Sequence, residues 1–154
     1  MGPDAVYYRQ DCRRLNSLIG RIYPVAAKAP LESEKIMAFV GTQDQAKARA
    51  FYRDTLGLRL TSEDRFALVF DVEGIMLRVT NVGKVVVAPY TVLGWQVKNI
   101  ASAVKAMGEA GVKLERYEGV GQDELGIWHA PGGAQVAWFK DPDGNTLSVT
   151  EICG

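Results

Sequence analysis

From residue 35 onward apolar and polar residues alternate in short runs, and the alternation gives way twice to helical spacing. Residues 35–42, Lys-Ile-Met-Ala-Phe-Val-Gly-Thr, read as a strand. Asp44 then reads as a helix N-cap, because its carboxylate can accept from the free amides of a first turn. Ala48, Phe51, Tyr52 and Leu56 fall on one helical face, and Gly57 stops the helix. Strands are predicted at 58–62, 66–71 and 75–80, with turns at Glu63-Asp64 and Val72-Glu73-Gly74. A connection over 81–90 is closed by Pro89. The cycle then repeats. A strand over 91–97 precedes Asn99 as cap, a helix with apolar positions Ile100, Ala103, Val104 and Met107, and Gly111 as stop. Further strands are predicted at 112–116, 125–129, 134–139 and 145–151. The last two flank Asp141-Pro142-Asp143-Gly144-Asn145, in which proline and glycine set the backbone angles and the short side chains bond back to the chain.

The two halves share one order: strand, capped helix ending in glycine, then about three strands. One βαβββ unit is too small to bury its own sheet, so the two are expected to pack as a single α+β domain. That domain covers 35–152, with modules 35–90 and 91–152. Residues 1–34 read as an N-terminal extension. Leu15, Leu18, Ile19 and Ile22 have helical spacing, and Pro24 and Pro30 bracket a linker. The basic cluster Arg9, Arg13 and Arg14 gives it a faint transit-peptide look. Asp4, Asp11 and the lack of a small-residue cleavage site count against that.

Composition narrows the classes. Eighteen basic and eighteen acidic residues cancel, which argues against a nucleic-acid surface. No apolar run approaches the roughly 18–20 residues of a membrane span. Two cysteines, Cys12 and Cys153, make neither a metal-ligand pattern nor a disulfide framework, so a reduced cytoplasmic protein is expected.

Two stretches carry a family resemblance. One is Asp44 with Ala48-Arg49-Ala50-Phe51-Tyr52-Arg53-Asp54-Thr55-Leu56-Gly57-Leu58; the other is Phe139-Lys140-Asp141-Pro142-Asp143-Gly144-Asn145. Together with the repeat, they resemble the vicinal-oxygen-chelate superfamily of glyoxalases, bleomycin-resistance proteins and extradiol dioxygenases. Gln122 to Trp128 and Val136 to Phe139 resemble a group of small bacterial members. The resemblance implies two modules forming a cup-shaped mixed sheet. It also implies four metal-ligand positions, which fall here on Met37, Arg78, Val92 and Ser148. Metal-dependent members carry His, Gln or Glu there. Methionine and valine cannot serve a divalent cation, and arginine repels one. No metal and no cofactor is therefore expected.

Strand alternation puts Arg78 with Met76 and Thr80 on one face, opposite Leu77 and Val79. If the latter face the helices, Arg78 points into the cup, where a guanidinium can hold a carboxylate or phosphate. A salt bridge to Glu73, Glu118 or Glu151 is the bland alternative. The expected ligand-binding set is Met37, Phe39, Phe70, Arg78, Val92, Trp128, Trp138 and Ser148. Trp95 shares a face with Leu93 and Val97 and is expected to pack on a helix. The expected function is metal-independent binding of a hydrophobic small molecule, anionic or carbonyl-bearing, by a homodimer. Sequestration of a drug is one form of it. The alternatives are an enzyme in the same cup or an interaction module that docks a partner through residues 1–34. The enzyme would be a lyase or isomerase using Glu124, His129 or Tyr117, or a metal-dependent dioxygenase. His129, the only histidine, with Asp123 and Glu124 nearby, is a candidate acid–base pair.

Overall fold

The computed structural model describes residues 30–152. The helix expected over residues 15–22, the linker from Pro24 up to residue 29 and both cysteines lie outside the described residues. The compact unit runs from Lys35 to Ile152. It holds β1 (Met37–Thr42), α1 (Gln45–Arg49), a π-helical continuation (Ala50–Thr55), β2 (Arg59–Glu63), β3 (Ala67–Val72) and β4 (Ile75–Asn81). The second half holds β5 (Leu93–Gln96), α2 (Ile100–Glu109), β6 (Trp128–His129), β7 (Gln135–Lys140) and β8 (Thr146–Glu151). The result is an α+β fold of two βαβββ modules. The mixed sheet is divided in two, with strand orders β1-β4-β3-β2 and β5-β8-β7-β6.

Local chemistry explains most boundaries. The Asp44 carboxylate accepts from the Lys47 amide at 3.0 Å and starts α1. Asn99 does the same for Ser102 at 2.8 Å, and the Glu151 carboxylate takes the Ile100 amide at 2.7 Å. The N-terminal amides of α2 are thus capped from its own module's last strand. Glu73 and Gly74 both have positive φ, 49° and 83°, which makes the tight two-residue turn between β3 and β4.

The helix after Arg49 widens to i→i−5 bonding, as in Leu56 N–H to Phe51 O. Consecutive side chains Phe51 and Tyr52 both reach the core there. Phe51 packs towards Phe139 of the second module at 6.4 Å, and Tyr52 towards Phe70 at 5.9 Å. One apolar cluster runs through both modules, from Val40, Leu68, Phe70 and Leu77 to Ile100, Ala137, Phe139 and Leu147.

The strand expected at 112–116 does not form. Only Leu114 bridges β7, opposite Phe139, and the chain then leaves the sheet until Trp128. Gly119, Gly121 and Gly126, all at positive φ, turn the excursion. Arg116 holds the carbonyls of Asp123 and Glu124. The Gln122 amide donates to those of Glu115 and Gly126. The strand over 125–129 is correspondingly cut to two residues.

The two modules are joined at the turn between β7 and β8. The buried Asp141 carboxylate accepts from Tyr52 Oη at 2.9 Å, from the amides of Asp143 and Asn145 at 3.0 and 2.9 Å, and from Asn145 Nδ2 at 2.8 Å. Asn145 Nδ2 also donates to Gly41 O of β1, and the Asp143 carboxylate accepts from Thr42 Oγ1 and the Gln43 amide. Burial, and then the Asp141 charge, push the Tyr52 phenol far above its usual range, so it remains a donor. Tyr52→Phe should lower unfolding stability by roughly 1.5–3 kcal/mol, because a buried carboxylate loses one donor. Urea denaturation monitored by circular dichroism measures this; an unchanged midpoint would show that the bond adds nothing.

Candidate functional site

The helices cover one face of each sheet and leave the other open. In β1 the even residues Ala38, Val40 and Thr42 face the core, and Met37, Phe39 and Gly41 face outward. In β4, Leu77 and Val79 are buried against the core, so Arg78 stands on the open face with Met76 and Thr80. The register extends this across strands. Arg78 lies between Val69 of β3 and Phe39 of β1. In the second sheet Ser148 lies between Gly94 of β5 and Trp138 of β7. The two rows occupy equivalent places in the two modules.

Phe39 is 59% exposed, and Met37, Met76 and Val92 are also exposed. Exposed apolar side chains clustered on one face mark a binding surface more often than a solvent surface. Trp128 and Trp138 stack at 5.9 Å along the open face of the second sheet, and Tyr117 meets Trp138 edge-on at 5.6 Å. Trp138 Nε1 donates to Thr91 Oγ1 at 3.1 Å, which fixes the indole. Between the sheets lies a recess of about 240 Å³, lined by Phe39, Gly41, Val82, Lys84, Val85 and Val92 among others. Residues from both modules therefore meet there.

Phe70 does not belong with this set. It opposes Leu77, is fully buried and packs on Tyr52 on the helix side. It is a core residue. Trp95 lies on the same side and stacks on Phe139 at 6.2 Å.

Arg78 has no carboxylate within ion-pair distance among the described residues. Glu151 is committed to Ile100 on the other side of its sheet. Asp71, the acid of the open face of β3, opposes Met76 and pairs with Arg59. Asp64 feels the Arg78 charge, but its carboxyl is held low chiefly by the amides of Phe66 and Ala67.

His129 and Asp123 do meet, at 3.0 Å, but on the exposed excursion. Asp123 Oδ1 accepts the amides of Leu125 and Ile127. Burial pushes the Asp123 carboxyl up, and His129 with those amides outweighs it and holds it low. His129 follows Trp128 by one residue and so lies on the opposite face from the stacked tryptophans. The pair fastens the loop and stands apart from Arg78.

At the four positions to which the family resemblance assigns metal ligands, Met37, Arg78, Val92 and Ser148, the chain presents a thioether, a guanidinium, an isopropyl group and a hydroxyl. This donor set does not suit a divalent cation. Among the described residues no three His, Cys, Asp or Glu side chains gather into a metal-binding group.

Residues 36–149 match the model of the Glyoxalase/Bleomycin resistance protein/Dioxygenase superfamily, and the chain belongs to that superfamily. A glyoxalase family protein from Bacillus anthracis superposes with a TM-score of 0.63 at 17% identity, over 77% of this chain and 94% of that one. A superfamily member from Sphaerobacter thermophilus gives 0.61 at 23% identity, over 77% and 96%. The lactoylglutathione lyase of Agrobacterium tumefaciens gives 0.60 at 18% identity, over 77% and 93%. At these identities the likeness is one of fold. No curated protein matches the sequence. No helix among the described residues is long and apolar enough to cross a membrane.

The sequence pattern did not point to Thr91, Lys84 or Gly94, because each enters through a loop or a register, and it offered Tyr117 only as an acid–base candidate, whereas its ring packs edge-on against Trp138. Gly94 has a steric signature. A Cβ there would lie 2.7 Å from Ser148 Oγ. Gly94→Ala should therefore destabilise the protein by about 1–2 kcal/mol through a forced Ser148 rotamer. The double variant Gly94→Ala/Ser148→Ala should recover most of the loss. A double-mutant cycle of thermal unfolding tests this, and strictly additive effects would contradict it.

Proposed function

We propose that the protein binds an apolar small molecule bearing a carboxylate or carbonyl group on the open face, without a metal ion, and that Arg78 anchors the polar end. The carrying observation is Arg78 itself: a permanent cation between Phe39 and Val69, near Met37 and Met76, with no ion-pair partner among the described residues. A guanidinium on an apolar surface is costly unless something accepts its hydrogens. An anionic or carbonyl group does so bidentately. Met37, Phe39, Val92, Trp128 and Trp138 supply the apolar contact, and Ser148 a second polar point. The donor chemistry at the four equivalent positions supports a metal-independent role.

Anilinonaphthalenesulfonate, a flat apolar anion, is a suitable probe. Arg78→Met should weaken its binding by roughly 1.5–3 kcal/mol, the size of a hydrogen bond to a charged group, while the urea midpoint stays near wild type. Fluorescence titration and denaturation measure the two. Unchanged binding with loss of stability would make Arg78 a structural residue.

The same exposed side chains, with Val86, Val87 and Tyr90 on the connection beside the recess, favour a homodimer, since closed two-fold interfaces are the commonest way to cover such a surface. Light scattering should give twice the chain mass at micromolar concentration. A monomer there would contradict the dimer.

A further inference from the structure

The connection from β4 to β5 brings a second cation to the recess that Phe39 lines. Val82 N–H bonds to Thr42 O, so the chain turns across the end of β1 as soon as β4 is complete. Gly41 permits the close approach: a Cβ there would lie 3.3 Å from Val82 and 3.7 Å from Val85. The segment thereby becomes one wall of the recess between the sheets, and Lys84 lies in that wall. Phe39 lines the recess too, and Phe39 is the cross-strand neighbour of Arg78. Phe39 therefore neighbours both cations: Arg78 on the adjacent strand, and Lys84 in the wall of the recess that Phe39 also lines. Lys84, like Arg78, has no carboxylate within ion-pair distance among the described residues. Val82, Val85 and Val92 give the recess apolar contacts, and Asn145 with Lys84 gives it polar ones.

We propose that the ligand class is a compact dianion: one apolar ring seated against Phe39 and Val92, with a charged group at each end, one held by Arg78 and the other by Lys84. This rests on the anion-binding reading of Arg78 and adds the second charge and the size. The size follows from the volume. A recess of about 240 Å³ is at or below the small end of ligand pockets. A single ring fits that volume and a polycyclic molecule exceeds it. No bond is made or broken, so the site discriminates by charge and length.

The test uses a matched pair of ligands, terephthalate and its monomethyl ester, which differ by one charge at nearly constant shape. Each displaces anilinonaphthalenesulfonate from the full-length protein in a fluorescence titration. The wild type should prefer terephthalate by about tenfold, the low end expected for one charged contact at an exposed lysine. Lys84→Met should erase that preference and leave the ester's affinity unchanged, Lys84→Arg should keep it, and Arg78→Met should weaken both compounds. Lys84 is exposed, so its variants should fold normally. Equal affinities in the wild type, a preference that survives Lys84→Met, or no displacement by terephthalate would overturn the dianion proposal alone. Binding of every probe indifferent to Arg78→Met would instead remove the reading beneath it.

Discussion

A single buried carboxylate sets the relation between the two modules. Asp141 gathers a phenol from the first module's helix, two amides from its own turn and the Asn145 side chain. A charge taken out of water is tolerated only when its lone pairs are filled, and here four donors fill them. Asn145 then reaches Gly41, and Asp143 reaches Thr42 and Gln43, so the turn that closes the second sheet also fixes the end of β1. Together with the apolar cluster shared by the two modules, that clamp fixes the end of β1 against the second sheet, on the side where the recess between Phe39 and Val92 lies.

The open faces are equivalent in backbone and different in chemistry. The central row of one sheet reads Val69, Arg78, Phe39, and that of the other Trp138, Ser148, Gly94. One sheet therefore offers a cation among apolar groups. The other offers an aromatic wall over a nearly buried hydroxyl. Two sheets of the same strand order thus present different surfaces, because all three side chains of the central row differ between them.

How much of this could be read in the chain depends on how local the cause is. The caps at Asp44 and Asn99, the glycine stops and the Asp-Pro-Asp-Gly-Asn turn act within a few residues, and all stand where the sequence placed them. The outward aim of Arg78 followed from alternation. Phe70 was misassigned although the signal existed: a two-residue turn at Glu73-Gly74 pairs Val72 with Ile75 and hence Phe70 with Leu77, a core residue. The missing strand at 112–116 had a weaker signal in three nearby glycines. The wall containing Lys84 had none, since it depends on where a connection crosses a strand end.

The excursion between Leu114 and Trp128 changes one border of the second sheet. A sheet's outer strand is a row of unpaired amides and carbonyls that any passing extended chain could extend. At the far side of β7 that row is broken into a single bridge and a two-residue strand, with a tightly stapled loop between them. At the far side of β3 the outer strand slips register at Thr61, between Leu60 and Ser62. The β2 and β6 borders are thus too irregular or too short to template a foreign strand readily.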